Sequence, residues 1–164
     1  MQSTEKWQQV RGYAGRYEVS SYGRVRSNDT TDSLGRKHLG RVLKPTPIPS
    51  GYLTVVLYRD GRRTHSVHRL VAEAFLGLSE FPVVRHLDGS RDNNHASNLA
   101  WGTFAENSQD SVAHGTNSNA RKTACIRGHE FTPDNTGIRK RGNRYCKKCE
   151  SNRVLAVYYA KKEI

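Results

Sequence analysis

The chain has 164 residues, a formal net charge of +12 and a pI of about 10.0. Only 35% of the residues are hydrophobic and the mean hydropathy is −0.79, so small modules with thin cores are expected. No apolar run approaches the roughly 18 residues that cross a bilayer, and no signal-peptide core opens the chain. These features predict an intracellular protein with no membrane partner.

The cationic excess lies at the two ends of the chain. Residues 1–60 hold ten Lys/Arg against five Asp/Glu, residues 61–120 five against six, and residues 121–164 twelve against four. Flanking cations of this kind bind nucleic-acid phosphates, and acidic and amide groups in the near-neutral middle can collect a metal ion. The alternative is a basic surface that serves only solubility.

Residues 1–65 are predicted to form a β-rich module. Aromatic and β-branched residues alternate there with Gly, Ser and Arg, as in short strands joined by tight turns. Arg24 and Arg26 lie two positions apart, so on a strand they share one face and can contact successive phosphates; the alternative is simple solvation. A polar loop is expected at residues 28–40, and prolines at positions 45, 47 and 49 should break regular structure.

A buried strand, a second strand and a helix are predicted next. Residues 52–58 carry apolar side chains on both faces, and an Asp-Gly turn leads into a strand at residues 62–67. Apolar residues then recur at helical spacing, with Ser66 as a candidate cap and Gly77 at the end. His68 lies beside this apolar stripe and is expected to pack or to form hydrogen bonds rather than to bind a metal.

Residues 81–115 predict a strand, a polar loop, a short strand and a helix. Val83 and Val84 favour a buried strand that places His86 at the start of the loop, and the loop is rich in turn-forming Asp, Asn, Gly and Ser. The second strand precedes a capping-box pattern that predicts a helix over residues 104–113. An amide side chain just past the first turn of that helix, at position 107, is expected to face the histidine.

Two pairs of metal-ligating residues lie near the end of the chain: Cys125 with His129, and Cys146 with Cys149. Their spacing is typical of structural Zn²⁺ sites and uses all three cysteines of the chain. Zinc binding contributes about 10–16 kcal/mol in small finger peptides, which would supply the folding energy that a thin core lacks. The alternative is three reduced cysteines and a chance histidine.

A basic hairpin with a Gly-Asn turn is predicted between the two ligand pairs. Four cations of this hairpin are predicted to bind DNA: Arg139, Lys140, Arg141 and Arg144. Lys147, which follows the hairpin, is predicted to bind DNA as well. A polar linker over residues 116–122 is expected before the zinc module, and a helix over residues 153–162 after it.

The residues His86, Asn98 and Asn107, at spacings of 12 and 9, resemble the His-Asn-Asn pattern of the HNH endonucleases. The ββα-metal fold of that family has the element order predicted above. The sequence HRLVAEAFL at residues 68–76 is similar to phage and intron members, in which a small N-terminal module like the one at residues 1–65 helps to bind DNA. The resemblance covers nearly the whole chain.

The resemblance implies a role for each motif residue. His86 matches the general base that takes a proton from water, so that hydroxide attacks the scissile phosphate. Asn98 matches the asparagine that braces the loop, and Asn107 matches a ligand of one divalent ion, Mg²⁺ or Mn²⁺. A neutral imidazole suits general-base catalysis, and a hard cation prefers oxygen ligands.

One position departs from the family pattern. The residue before the base is commonly a metal ligand, whereas here it is Arg85, which carries only donors. Either the ion is held by Asn107, water and substrate phosphate, with help from Asp88 or Asp92, while Arg85 grips a phosphate, or the metal site has weakened.

The combined prediction is an α+β protein with three domains. They are a β-rich DNA-binding module at residues 1–65, a helix plus ββα-metal nuclease domain at residues 66–115, and a linker with a zinc-bound basic module at residues 116–164. The predicted function is hydrolysis of double-stranded DNA with one catalytic ion, one structural Zn²⁺ and no small-molecule cofactor. The alternatives are a catalytically silent DNA-binding protein and a zinc-stabilised RNA binder; the oligomeric state stays open.

Overall fold

A computed structural model describes residues 4–162 of the chain. The chain divides into two compact units, the first ending at His114 and the second beginning at Gly115. The predicted fold class is confirmed, since a β-rich N-terminal region, a central hairpin followed by a helix, and a C-terminal Cys/His cluster are all present. The predicted division of the first unit near residue 65 stays a prediction.

The first unit consists of short antiparallel sheets and two helices. Its strands are β1 (Trp7–Gln9), β2 (Tyr17–Ser20), β3 (Val25–Ser27), β4 (Thr30–Thr31), β5 (Lys37–His38), β6 (Thr46–Pro47), β7 (Leu53–Tyr58), β8 (Arg62–Ser66), β9 (Val83–His86) and β10 (Leu99–Gly102), and its helices are α1 (Val67–Phe75) and α2 (Phe104–Ala113). The sheets have the orders β1-β2-β3, β4-β5, β6-β7-β8 and β9-β10.

Helix α1 lies at the centre of the first unit. Its apolar stripe buries Val67, Leu70 and Val71, as the helical spacing predicts. One core cluster joins these side chains to the N-terminal sheet, to β7 and to the β9–β10 hairpin, through residues such as Val19 and Leu57. This shared core fixes the position of strand β9, which ends in His86.

Capping residues and glycine account for the ends of the helices, with one exception. Helix α2 spans the predicted residues, and the reciprocal bonds of Thr103 and Glu106 complete the capping box. Gly77 follows α1 with a φ of +80°, a conformation that a side chain disfavours. Ser66 occupies the predicted cap position of α1, although its side chain forms no cap hydrogen bond.

Three segments predicted as irregular contain short regular elements. The β4–β5 hairpin lies within residues 28–40, and β6 pairs with β7 although it includes Pro47. Proline is tolerated there because β6 is an edge strand. In the predicted linker, Asn117 accepts hydrogen bonds from the backbone of Asn119 and Ala120 and starts a four-residue helix.

The second unit is a small assembly of one hairpin and two helices. Its elements are α3 (Ser118–Arg121), β11 (Thr136–Ile138), β12 (Arg144–Cys146) and α4 (Lys147–Ala160). Helix α4 begins earlier than predicted because the Cys146 sulfur accepts from the backbone of Cys149 at its first turn. Within residues 4–162 no helix has both the length and the apolar character needed to cross a bilayer.

Candidate functional site

His86 is the last residue of β9 and is largely buried. Its Cα pairs with that of Leu99 on β10, and the side chain is 7% exposed. Its Nε2 lies 3.2 Å from Oδ1 of Asn94, in the loop between the two strands. Burial lowers the pKa of His86, and the Asn94 hydrogen bond opposes that shift only in part. The imidazole is therefore neutral at neutral pH.

Two aromatic rings pack beside His86. The ring centroid of His68 lies 5.3 Å from that of His86, and the centroid of Tyr52 lies 4.9 Å from His68 and 5.8 Å from His86. Burial, with smaller contributions from His86 and Arg69, lowers the pKa of His68 to about 4. His68 is thus a packing residue, as expected, and it supplies part of the apolar surroundings of His86.

Asn98 closes the loop that follows His86. Its Oδ1 accepts from the backbone N–H of Asp88 at 3.0 Å, and its Nδ2 donates to the Asp88 carboxylate and the Asn93 carbonyl, both at 2.9 Å. The Asp88 carboxylate also accepts from the backbone of Ser90, and this bond is the largest of those that lower the pKa of Asp88 to about 2. Asp88 is therefore occupied in holding the loop.

Arg85 precedes His86 and is bound to helix α2. Its Nε and Nη2 donate to the two carboxylate oxygens of Asp110 at 2.6 and 2.9 Å, and its Nη1 lies 3.3 Å from Oε1 of Glu106. The hydrogen bond from Arg85 lowers the pKa of Asp110, so the pair is charged at neutral pH. In this structure the guanidinium contacts carboxylates of its own chain.

Asn107 lies in α2 between the two acidic residues that contact Arg85. It is half-buried, and its side chain forms no hydrogen bond with any of the residues 4–162. Its amide oxygen is therefore available as a ligand. The predicted approach of Asn107 to His86 stays a prediction.

The four residues predicted to bind zinc lie together in the second unit. The ligand atoms of Cys125, His129, Cys146 and Cys149 all lie within 4.8 Å of one another, and they form the one such group of His, Cys, Asp or Glu within the described part of the chain. Four of the pairs formed by these sulfur and nitrogen atoms are separated by 3.2 to 3.6 Å. Tetrahedral Zn²⁺ with ligands at about 2.0–2.3 Å needs similar separations, so the cluster fits this ion.

The N-terminal arginines lie against one tryptophan. Arg24 is bound to Glu5 and Arg26 to Glu18, and both guanidinium carbons lie over the Trp7 ring, at 5.6 and 4.1 Å from its centroid. The two side chains share a face, as their spacing predicts, and remain 55% and 40% exposed. Each is thus positioned by an acidic partner while it stays accessible to solvent.

The cations of the second unit that are predicted to bind DNA fall into two groups. Arg144 donates to the backbone carbonyls of Asn119 and Lys122 and lies over the Phe131 ring, and Arg139 pairs with Glu150. Three other cations have exposed side chains that bond to none of the residues 4–162: Lys140, Arg141 and Lys147. The second group is free to bind phosphates.

Asn94 and Asp110 contact the proposed site residues but are not among the residues predicted from the sequence. Asn94 is only 3% exposed, although it lies in a polar loop. The loop contains several asparagines, and the sequence does not indicate which of them is buried. Asp110 had a usable signal, because it lies four positions after Glu106 and the two therefore share one helix face. Two acidic residues on that face predict a cation opposite them.

Two family models match the chain. A NUMOD4 motif model covers residues 5–58 and an HNH endonuclease model covers residues 65–109. DNA endonuclease I-HmuI of Bacillus phage SP01 is 36% identical over 143 residues, which make up 82% of this chain and 76% of I-HmuI. The chain belongs to the HNH endonuclease family.

A solved structure and a second relative show the same relationship. The solved structure of the HNH homing endonuclease I-HmuI, determined to describe DNA binding and cleavage, aligns with a TM-score of 0.57 and 32% identity over 90% of this chain and 82% of that chain. An uncharacterized HNH endonuclease of Acanthamoeba polyphaga mimivirus is 30% identical over 118 residues, covering 71% of this chain and 33% of that protein. The family resemblance seen in the motif residues is confirmed.

Proposed function

We propose that this HNH endonuclease hydrolyses phosphodiester bonds of double-stranded DNA, with His86 as the general base. The observation that carries the proposal is the buried imidazole at the end of β9, whose Nε2 is hydrogen-bonded while its Nδ1 is free. The Nδ1 of His86 has no hydrogen-bond partner among residues 4–162, so its lone pair can accept a proton. That atom takes the proton of the attacking water.

The residues around His86 keep its imidazole in the neutral form, which proton transfer from water requires. Burial against His68 and Tyr52 keeps the imidazole neutral, and only the neutral form accepts a proton. Asn98 holds the loop that starts at the base, in agreement with the bracing role implied by the family.

A divalent cation such as Mg²⁺ or Mn²⁺ would be held by Asn107, together with water and a DNA phosphate. The fit rests on the free amide oxygen of Asn107, since oxygen ligands suit these ions and Mg²⁺ binds through few protein ligands plus substrate phosphate. When bound, the ion offsets negative charge on the leaving oxygen. Asp88 contributes to the loop instead, because its carboxylate is occupied by hydrogen bonds.

The basic regions at both ends of the chain would hold the DNA. The exposed pair of Arg24 and Arg26 and the free cations Lys140, Arg141 and Lys147 are the proposed phosphate contacts. Arg139 is a further proposed contact, because it is 54% exposed beside its partner Glu150. Arg144 contributes mainly by holding the scaffold, because its guanidinium group is bonded to two backbone carbonyls of the second unit. Phosphate contact by Arg85 would require exchange of its Asp110 partner.

A plasmid-cleavage experiment tests the proposal. A pool of supercoiled plasmids with randomised inserts is incubated with the protein in metal-free buffer and after addition of Mg²⁺ or Mn²⁺. We expect metal-dependent conversion to open-circle or linear DNA, lost in His86→Ala and kept in His38→Ala, a histidine of the exposed β4–β5 hairpin. The zinc content of the protein is measured in parallel, because preparation of a metal-free sample with a chelator would also remove a structural Zn²⁺.

A catalytically silent DNA-binding protein is the second candidate function. The observation that favours it is the Arg85–Asp110 pair, which places a guanidinium beside the base where the family commonly has a metal ligand. Tight, salt-sensitive binding to the plasmid pool with no conversion in Mg²⁺ or Mn²⁺ would favour this candidate and contradict the nuclease. Cleavage by wild type but not by Asn107→Ala, with equal DNA affinity of both, would support the proposed metal ligand.

A further inference from the structure

The hydrogen bond between Asn94 and His86 defines which ring nitrogen carries the proton. Asn94 Nδ2 lies 3.1 Å from the backbone carbonyl of Asp92, and a carbonyl can only accept, so the nitrogen of the amide faces Asp92. Asn94 Oδ1 therefore faces His86 and accepts a hydrogen bond from Nε2 at 3.2 Å. The neutral imidazole carries its proton on Nε2, and Nδ1 is left unprotonated.

Asn94 is in turn positioned by a tight turn of the N-terminal sheet. The turn between β2 and β3 contains Gly23, whose φ is +81°. A Cβ on this glycine would lie 2.7 Å from the Asn94 Cβ and 3.0 Å from its carbonyl oxygen. Real Cβ atoms essentially never approach another atom as closely as 2.7 Å, so only glycine allows this contact between the turn and the loop of the HNH motif.

Further contacts connect the β2–β3 turn with the loop that contains Asn94. The backbone N–H of Ala96 donates to the Ser21 carbonyl at 2.8 Å, and the rings of Tyr22 and His95 pack with centroids 4.8 Å apart. The turn itself is fixed by Ser20, which is fully buried and accepts from two backbone N–H groups of the turn. The contact is therefore made between two ordered segments that are far apart in sequence.

We infer that Asn94 is a positioning residue that selects the Nε2-protonated form of His86, and that the β2–β3 turn, through Gly23, holds Asn94 in place for this task. The inference rests on the proposed function of His86 as base. The N-terminal sheet would then position Asn94 in addition to its proposed contact with DNA. The wrong tautomer would present an N–H where an acceptor is needed, and water could not be deprotonated there.

Two readouts test the inference separately from the proposed function. The first is the tautomer of His86, measured by two-bond ¹H–¹⁵N correlation spectra of the full-length, ¹⁵N-histidine-labelled protein. Wild type should show unprotonated Nδ1, and Asn94→Ala should show a mixture of both tautomers. An unchanged tautomer in Asn94→Ala would overturn the inference even if the protein cleaves DNA.

The second readout is single-turnover cleavage as a function of DNA concentration. Asn94→Ala should lower the maximal rate about 10- to 100-fold, less than complete loss of a general base costs, with little change in half-saturating DNA. If wild type cleaves no DNA, the proposed function fails, while the spectra still report whether Asn94 sets the tautomer. A raised half-saturating DNA concentration with an unchanged maximal rate would contradict the positioning role.

Glycine substitutions distinguish the contact from backbone strain. Gly23→Ala should reproduce the tautomer mixture and the lower rate, because the added methyl group displaces Asn94. Gly35→Ala is the matched control, since Gly35 has a φ of +78° and nothing within 4 Å of an added Cβ. The double variant Gly23→Ala with Asn94→Ala should lose no more rate than Asn94→Ala alone, because both act through one contact. Equal defects in Gly23→Ala and Gly35→Ala would overturn the part assigned to the turn.

Discussion

Arg85 and Asp110 form a two-point ion pair between the strand that ends in the proposed base and the helix of the HNH motif. Two nitrogens of Arg85 lie 2.6 and 2.9 Å from the two carboxylate oxygens of Asp110. The side chains are only 18% and 25% exposed, so solvent screens their attraction less than that of a surface pair. The pair therefore helps to fix strand β9 against helix α2.

Replacement of Asp110 by asparagine should destabilise the first unit. Asp110→Asn keeps the size of the side chain but removes its charge and one of its two acceptor oxygens, so Glu106 is the remaining carboxylate beside the guanidinium. We expect the free energy of unfolding at pH 7 to fall by about 1 kcal/mol, measured by urea titration. Asp60→Asn is the control, because Asp60 pairs with Arg59 but is 82% exposed. Equal losses in the two variants would show that burial does not strengthen the Arg85–Asp110 ion pair.

The elements that the sequence predicted well are those with local signals. Helix α2 was predicted with its observed bounds because Thr103 and Glu106 lie three residues apart and satisfy each other's backbone groups. Helix α1 followed from a stripe of apolar residues at helical spacing. The Cys/His cluster was predicted for a similar reason, since each of its two residue pairs is close in sequence.

The features that were missed depend on partners far away in sequence. Arg85 and Asp110 are separated by 25 residues, and Arg144 is bonded to carbonyls 22 and 25 residues earlier. Asn94 is selected among several loop asparagines because it packs against Gly23, which lies in the β2–β3 turn about 70 residues earlier. Strand β6 was missed because its pairing with β7 overrides the low strand propensity of proline. Local patterns contain no information on such contacts.

His68 should make the stability of the first unit depend on pH. Burial lowers its pKa to about 4 in the folded protein, below the ordinary value of 6.5. Between these values the unfolded chain binds a proton that the folded chain does not, so stability is complete above pH 6.5 and is lost as the pH falls toward 4. The loss attributable to His68 is up to about 3 kcal/mol.

The variant His68→Phe tests this linkage. Phenylalanine keeps an aromatic ring beside Tyr52 and His86 but cannot bind a proton. The free energy of unfolding, measured by urea titration from pH 7 to pH 4.5, should fall less steeply than in wild type. A remaining slope is expected, because burial also lowers the pKa of His86. The same slope in both proteins would show that His68 titrates normally.

Removal of zinc should unfold the second unit alone. Elemental analysis is expected to find about one Zn²⁺ per chain, and Cys146→Ser should release it. In ¹H–¹⁵N spectra the signals of residues 115–162 should collapse, while those of the first unit persist, because the chain divides at His114 and each unit has its own contacts. His129→Gln should behave like Cys146→Ser, and His114→Gln, outside the cluster, should retain the metal. A folded second unit without zinc would contradict a structural role for the ion.

The free cations of the second unit should determine how steeply DNA affinity depends on salt. Each phosphate contact releases bound counterions, so loss of one contact lowers the slope of log affinity against log salt by about one unit. Lys140→Ala with Arg141→Ala should therefore lower the slope by about two units and weaken binding to all sequences alike. Arg144→Ala should instead disturb residues 118–122, since Arg144 is bonded to their backbone. Weaker binding with an unchanged salt slope in the Lys140/Arg141 variant would show that these two side chains contact no phosphate.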